Sequence, residues 1–167
     1  MPQLFGKSMK MQLLGTLTVG VLLATSSATA EERVCTEIGC SQGLTISIPP
    51  DYRWKVGEYR FELIVDGTKV ACRGALPLEP CDKASITCER NSIEVGITES
   101  GCALEPSAHG FGDITLAGGG RNVSVQIFRN GTEIAKGSWN PEYREFRPNG
   151  QDCPPLCRTA VVELLPK

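Results

Sequence analysis

Eight cysteines constrain this chain more than any other feature: Cys35, Cys40, Cys72, Cys81, Cys88, Cys102, Cys153 and Cys157. The count is even and no Cys-x-x-Cys redox motif occurs. In an oxidising compartment such a set pairs into disulfides. The alternative is a pair of all-thiolate zinc sites. Cys153-x-x-x-Cys157 and the gap between Cys35 and Cys40 are roughly ligand-like, but such sites suit reducing compartments better. The expectation is therefore a disulfide framework with no metal. Eight cysteines allow about a hundred connectivities. Position narrows them. Cys35 and Cys40 precede the first expected strand, and Cys153 and Cys157 precede the last. If those strands lie side by side, the two pairs meet at one end, and Cys72, Cys81, Cys88 and Cys102 pair among themselves.

The compartment is argued from the other end of the chain. Lys7 and Lys10 supply a positive segment, Leu13 to Ala24 an apolar run, and Ala28-Thr29-Ala30 a small-residue site, with no acid before Glu31. This is the order of a secretory signal peptide, with cleavage expected after Ala30. The run is shorter than the roughly 20 residues of a membrane span. Met9 and Met11 are alternative starts to Met1. Arg33-Val34 before Cys35 lacks the small residues that precede a lipidated cysteine. The expected product is one secreted or periplasmic domain, residues 31–167, with no stable membrane span.

Alternation with period 2 dominates that domain. Leu44, Ile46 and Ile48 form one half-buried run; Tyr59, Phe61, Leu63 and Val65 form another; Ile93, Val95 and Ile97, then Val123, Val125 and Ile127, then Ala160, Val162 and Leu164 follow. Ser85 to Cys88, Ile114 with Leu116, and Tyr143 to Arg147 are shorter strand segments. Asp66-Gly67 and Asn130-Gly131 sit between alternating runs, the sequence signature of a two-residue hairpin turn. The two hairpins, Phe61 to Ala71 and Val125 to Ala135, align on Gly, Thr and Ala. Duplication or convergence on one turn chemistry accounts for that, and convergence asks for less. No segment shows sustained helical spacing. The fold class is all-β: an antiparallel β-sandwich.

The segment Gly57-Glu-Tyr59-Arg-Phe61-Glu-Leu63 resembles late strands of immunoglobulin-like and fibronectin-like sandwiches, where a Tyr opens a strand and its hydroxyl bonds nearby backbone. That resemblance implies an immunoglobulin-like sandwich stapled by disulfides. Across the chain, Cys35-Thr-Glu-Ile-Gly-Cys40, Gly43-Leu44-Thr45, Asn130-Gly131 and Pro148-Asn149-Gly150-Gln-Asp-Cys153-Pro-Pro-Leu-Cys157 resemble exported Cys-rich proteins of bacteria. That group brings no activity and no functional residue.

Charge and residue types then limit function. With 17 Lys+Arg against 19 Asp+Glu, a net charge of −2 and no clustering by sign, the chain lacks the basic stripe of a nucleic-acid binder. His109 is the one histidine. Together with Asp113 or Glu105 it could activate Ser107, but no Gly-x-Ser-x-Gly elbow marks that serine. Glu89, Glu94 and Glu99, or Glu142 and Glu145, could act as paired carboxylates of a glycosidase, or simply be exposed strand residues. Gly118-Gly119-Gly120-Arg121 lacks the Lys-Ser/Thr of a phosphate loop. Asn122 and Asn130 match glycosylation sequons, and Asn130 reads better as a turn residue. Trp54, Trp139, Tyr143 and Phe146 motivate a binding reading, and Trp139, Tyr143 and Phe146, interleaved with charges, are the candidate binding residues; alternatively a Trp fills the sandwich centre and Tyr143 and Phe146 cover a core end. The expectation is an exported non-enzymatic binding or structural module without cofactor, meeting a protein or glycan partner. An inhibitor of secreted hydrolases is one form. The alternative is a small secreted hydrolase using loop carboxylates or His109.

Overall fold

A computed structural model describes residues 34–40, 42–89 and 92–167. The expected export signal and its cleavage site lie outside these residues. Among the described residues ten strands follow one another: β1 (Gly43–Ser47), β2 (Gly57–Val65), β3 (Thr68–Leu76), β4 (Ile86–Cys88), β5 (Val95–Ser100), β6 (Gly110–Leu116), β7 (Val123–Arg129), β8 (Thr132–Trp139), β9 (Arg144–Phe146) and β10 (Cys157–Glu163). They form two five-stranded sheets, ordered β5-β6-β1-β10-β9 and β4-β3-β2-β7-β8.

The alternating residues face inward as expected. Phe61, Leu63, Val125 and Ile127 from one sheet and Leu44, Ile46, Ile114 and Leu116 from the other are each at most 1% exposed and share one core. Phe61 and Phe111, one from each sheet, meet edge to face at 5.3 Å between ring centroids. At roughly 1.5–3 kcal/mol per fully buried large apolar side chain, this interior is the main stabilising contribution.

One feature of the expected pattern is corrected. The sandwich is not wholly antiparallel: β1 and β10 run parallel, Gly43 opposite Thr159 through Ser47 opposite Glu163. A short turn cannot join parallel neighbours, and here nearly the whole domain serves as the crossover. β1 also lies between β6 and β10, rather than beside β2.

Both hairpins form at the expected turns. Asp66 and Gly67, and Asn130 and Gly131, have φ of 48°, 86°, 49° and 81°, the left-handed pair of values that a type I′ turn requires. The hairpins differ in one respect. β7 and β8 slip register between Ile127 and Phe128, and this bulge turns Ala135 into the core while its counterpart Ala71 stays half-buried. The Tyr59 hydroxyl donates to the Lys55 carbonyl and accepts from the Lys55 N–H. Burial pushes its pKa above the ordinary tyrosine value.

The eight cysteines form four disulfides. Cys35 bonds Cys153 and Cys40 bonds Cys157, so the segment before β1 is tied to the segment before β10, while Cys72 bonds Cys88 and Cys81 bonds Cys102. The pairing expected from adjacent first and last strands is the one found, and no thiolate is left for zinc. Such bridges suit an oxidising compartment. A carboxylate adds a further tie. Glu99 on edge strand β5 accepts the amide hydrogens of Ser85 and Ile86 at 2.8 and 2.9 Å, joining one sheet's edge to the start of β4 in the other.

Candidate functional site

The link between β1 and β2 carries Pro49, Pro50, Tyr52 and Trp54. The Tyr52 N–H donates to the Pro49 carbonyl and closes a turn. Trp54 then lies across the start of β6, so close that a Cβ on Gly110 would stand 2.6 Å from its ring. Glycine is required at 110 for that approach. The indole meets Tyr52, Phe111 and Tyr59 edge-on at 5.0, 5.1 and 5.3 Å. A run of rings therefore leads from fully buried Phe61 out to half-buried Trp54 and Tyr52. Beside these two lies a groove of about 370 Å³ whose wall also includes Pro50, Ser100, Ser107 and Asp113. Its volume is within the range of small-ligand sites, roughly 300–1,000 Å³.

His109, Ser107 and Asp113 all line this groove, but His109 is occupied otherwise. It is 8% exposed. The Leu78 N–H donates to Nδ1 at 2.9 Å, so Nδ1 is the bare nitrogen and the hydrogen sits on Nε2, which donates to the Leu104 carbonyl at 3.0 Å. The imidazole thus fastens two loop backbones with both nitrogens. Ser107 sits exposed in a single 3₁₀ turn, Pro106–Ala108. The Ser47 hydroxyl donates to Asp113 Oδ1 at 3.0 Å.

The carboxylates separate likewise. Glu99 is turned to the β4 amides, while Glu89, Glu94, Glu142 and Glu145 are exposed. In the glycine run, the Gly120 N–H donates to the Tyr143 hydroxyl, and the Arg121 and Asn122 N–H groups donate to the Asp66 carboxylate. The amides a phosphate would need are thus taken by side chains. Asn130 Oδ1 accepts the Glu58 N–H, which ties the second hairpin turn to the start of β2.

The three aromatics singled out by sequence occupy different settings. The Tyr143 hydroxyl also donates to the Gly120 carbonyl at 2.9 Å, and the Arg158 guanidinium covers its ring at 4.3 Å. Trp139 is half-buried against the core beside Gly137. Phe146, on edge strand β9, is 46% exposed. Of the half-buried pair at the groove, Trp54 belongs to the aromatics that motivate a binding reading, and Tyr52 does not. The signal was present in Pro49-Pro50-Asp51-Tyr52-Arg53-Trp54, but a loop has no period to show where its side chains go.

Among the described residues no group of His, Cys, Asp and Glu is arranged to hold a metal ion. No helix there is long and apolar enough to cross a membrane. No family model matches the sequence, and comparison with curated proteins and with solved structures finds no match.

Proposed function

We propose that the chain is an exported, non-enzymatic binding module that meets a protein or glycan partner at the groove beside Tyr52 and Trp54. One contrast carries this reading: the His109 nitrogens are both bonded to backbone, whereas two half-buried aromatics line open space in the same groove. Rigid aromatic area held on a fixed scaffold is what recognition surfaces use. The disulfide frame supports a secreted or periplasmic setting. The immunoglobulin-like description draws its support from the Tyr59 corner, where the hydroxyl bonds backbone upstream in the chain.

The test is affinity capture from periplasmic and surface fractions with the tagged wild type, Trp54→Ala and Tyr52→Ser. The second variant guards against a folding defect, since Tyr52 is farther from the core. A partner recovered by the wild type and lost by both variants is expected. Equal recovery by all three proteins overturns the reading. The hydrolase alternative predicts instead a secreted-hydrolase activity that His109→Ala or loop-carboxylate variants abolish.

A further inference from the structure

We infer that the groove is a carbohydrate subsite that takes a neutral pyranose ring; the inference rests on the binding reading above and names its ligand class. Three residues with polar side-chain groups line the groove: Asp113, Trp54 and Tyr52. Asp113 uses Oδ1 for the Ser47 hydroxyl, and Oδ2 has no hydrogen-bond partner among the described residues. The Trp54 indole N–H and the Tyr52 hydroxyl also have none. Ser100, Thr98 and Ser107 add hydroxyls to the same wall.

This set asks for a particular partner. A carboxylate oxygen accepts only, so it needs a ligand that brings donors. An indole N–H donates only, so it needs an acceptor. Sugar hydroxyls do both from one rigid ring. The weakly positive C–H edges of a pyranose also suit the negative faces of aromatic rings. A proline-rich peptide is the other common occupant of aromatic-lined grooves. It offers carbonyl acceptors and few donors, which leaves Asp113 unmatched. Acidic sugars would meet the Asp113 charge, although Arg53 on the wall would partly offset it.

The scaffold supports a fixed subsite. Trp54 is held by Gly110 beneath it and by three neighbouring rings. Asp113 is held by β6 and by Ser47 at the end of β1. Neither side chain has to be ordered when the ligand arrives, and that keeps the entropic cost of binding low.

The experiment uses intrinsic fluorescence. Trp139→Phe leaves Trp54 as the sole tryptophan, and melting curves establish that the variant is folded. It is titrated with maltotriose, cellotriose and triacetylchitotriose, and in parallel with trigalacturonate and a proline-rich peptide. A saturable change in Trp54 emission with at least one neutral trisaccharide is expected. Adding Asp113→Asn should weaken that binding about tenfold, and adding Tyr52→Ala should also weaken it, each with the fold retained. The inference is overturned if no neutral trisaccharide changes the emission, if trigalacturonate or the peptide binds more tightly, or if neither added substitution weakens binding. Silent sugars together with a captured protein that Trp54→Ala loses would sink the sugar inference and leave the binding reading standing. Silent sugars together with capture that ignores Trp54 would remove both.

Discussion

His109 accepts the amide hydrogen of Leu78 from a position 31 residues away, and Leu78 is itself buried at 7% exposure. A buried N–H that loses its acceptor costs about 1–3 kcal/mol. His109→Ala is therefore expected to destabilise the fold by about that amount, and more if the Leu104 carbonyl is also left without a donor. Urea unfolding monitored by fluorescence checks this. An unchanged midpoint would mean that water replaces both bonds.

The Asp66 carboxyl is held below the ordinary aspartate range, first by the N–H of Asn122 and then by that of Arg121. A lowered folded-state pKa means the group favours the folded state when ionised. That contribution is complete above the unfolded aspartate value and is lost as pH falls through the lowered folded value. The stability gap between wild type and Asp66→Asn should thus shrink on acidification below the normal carboxylate range. Thermal melts across an acid series measure it, and a gap independent of pH would contradict the assignment.

Arg60 and Arg73 stand directly opposite each other in the β2–β3 ladder. Arg60 is served by Glu62 and by the Phe128 ring, 4.5 Å from its guanidinium carbon. Like charges directly opposite destabilise a sheet. Arg73→Glu should stabilise the protein by roughly 0.2–1 kcal/mol, because opposite charges then face each other. The gain should fade as salt is added. A loss of stability at low salt would show that Arg73 contributes through a contact other than charge.

The bridge between Cys40 and Cys157 spans 117 positions. With Cys35–Cys153 intact this bridge closes only a short additional loop, and loss of a native bridge from a small disulfide-bonded domain costs about 2–5 kcal/mol, the lower end applying here. The double variant Cys40→Ser with Cys157→Ser should show a denaturant midpoint lowered accordingly, with the slope little changed because Cys35–Cys153 still closes the long loop. Retention of the wild-type midpoint would assign the end-to-end tie to Cys35–Cys153 alone.

Much of the fold was legible because its rules are local. Alternation identified the core residues of β1, β2 and β7, with Ala160 of β10 and Leu164 just beyond it, and Asp66-Gly67 and Asn130-Gly131 marked both turns. The end-to-end disulfides followed from one further assumption, that the first and last strands are neighbours. Direction was not legible: adjacency of β1 and β10 is compatible with either sense, and hydrogen bonding across the sheet selects the parallel one. The bulge that buries Ala135 was hidden too, because it breaks the period that reveals strands. The groove was hardest to see. Trp54, Gly110 and Asp113 come together only through the sheet β1 shares with β6, and nothing in a loop sequence announces a partner more than fifty positions away.

The parallel pairing of β1 with β10 also has a kinetic side. β1 is central in its sheet, and one of its two neighbours is the last strand of the fold. A growing chain can form the β2–β3 and β7–β8 hairpins early, because they need only nearby residues. It cannot complete the interior around Leu44 and Ile46 until residues near 160 have arrived. Contacts of such long sequence separation slow folding. Topology thus makes the hairpins local and the closure of the ends long-range, and Cys35 and Cys40 bond partners more than a hundred residues later in the chain. Until β10 arrives, the chain exposes that edge of β1, and the edge is open to pairing with another chain.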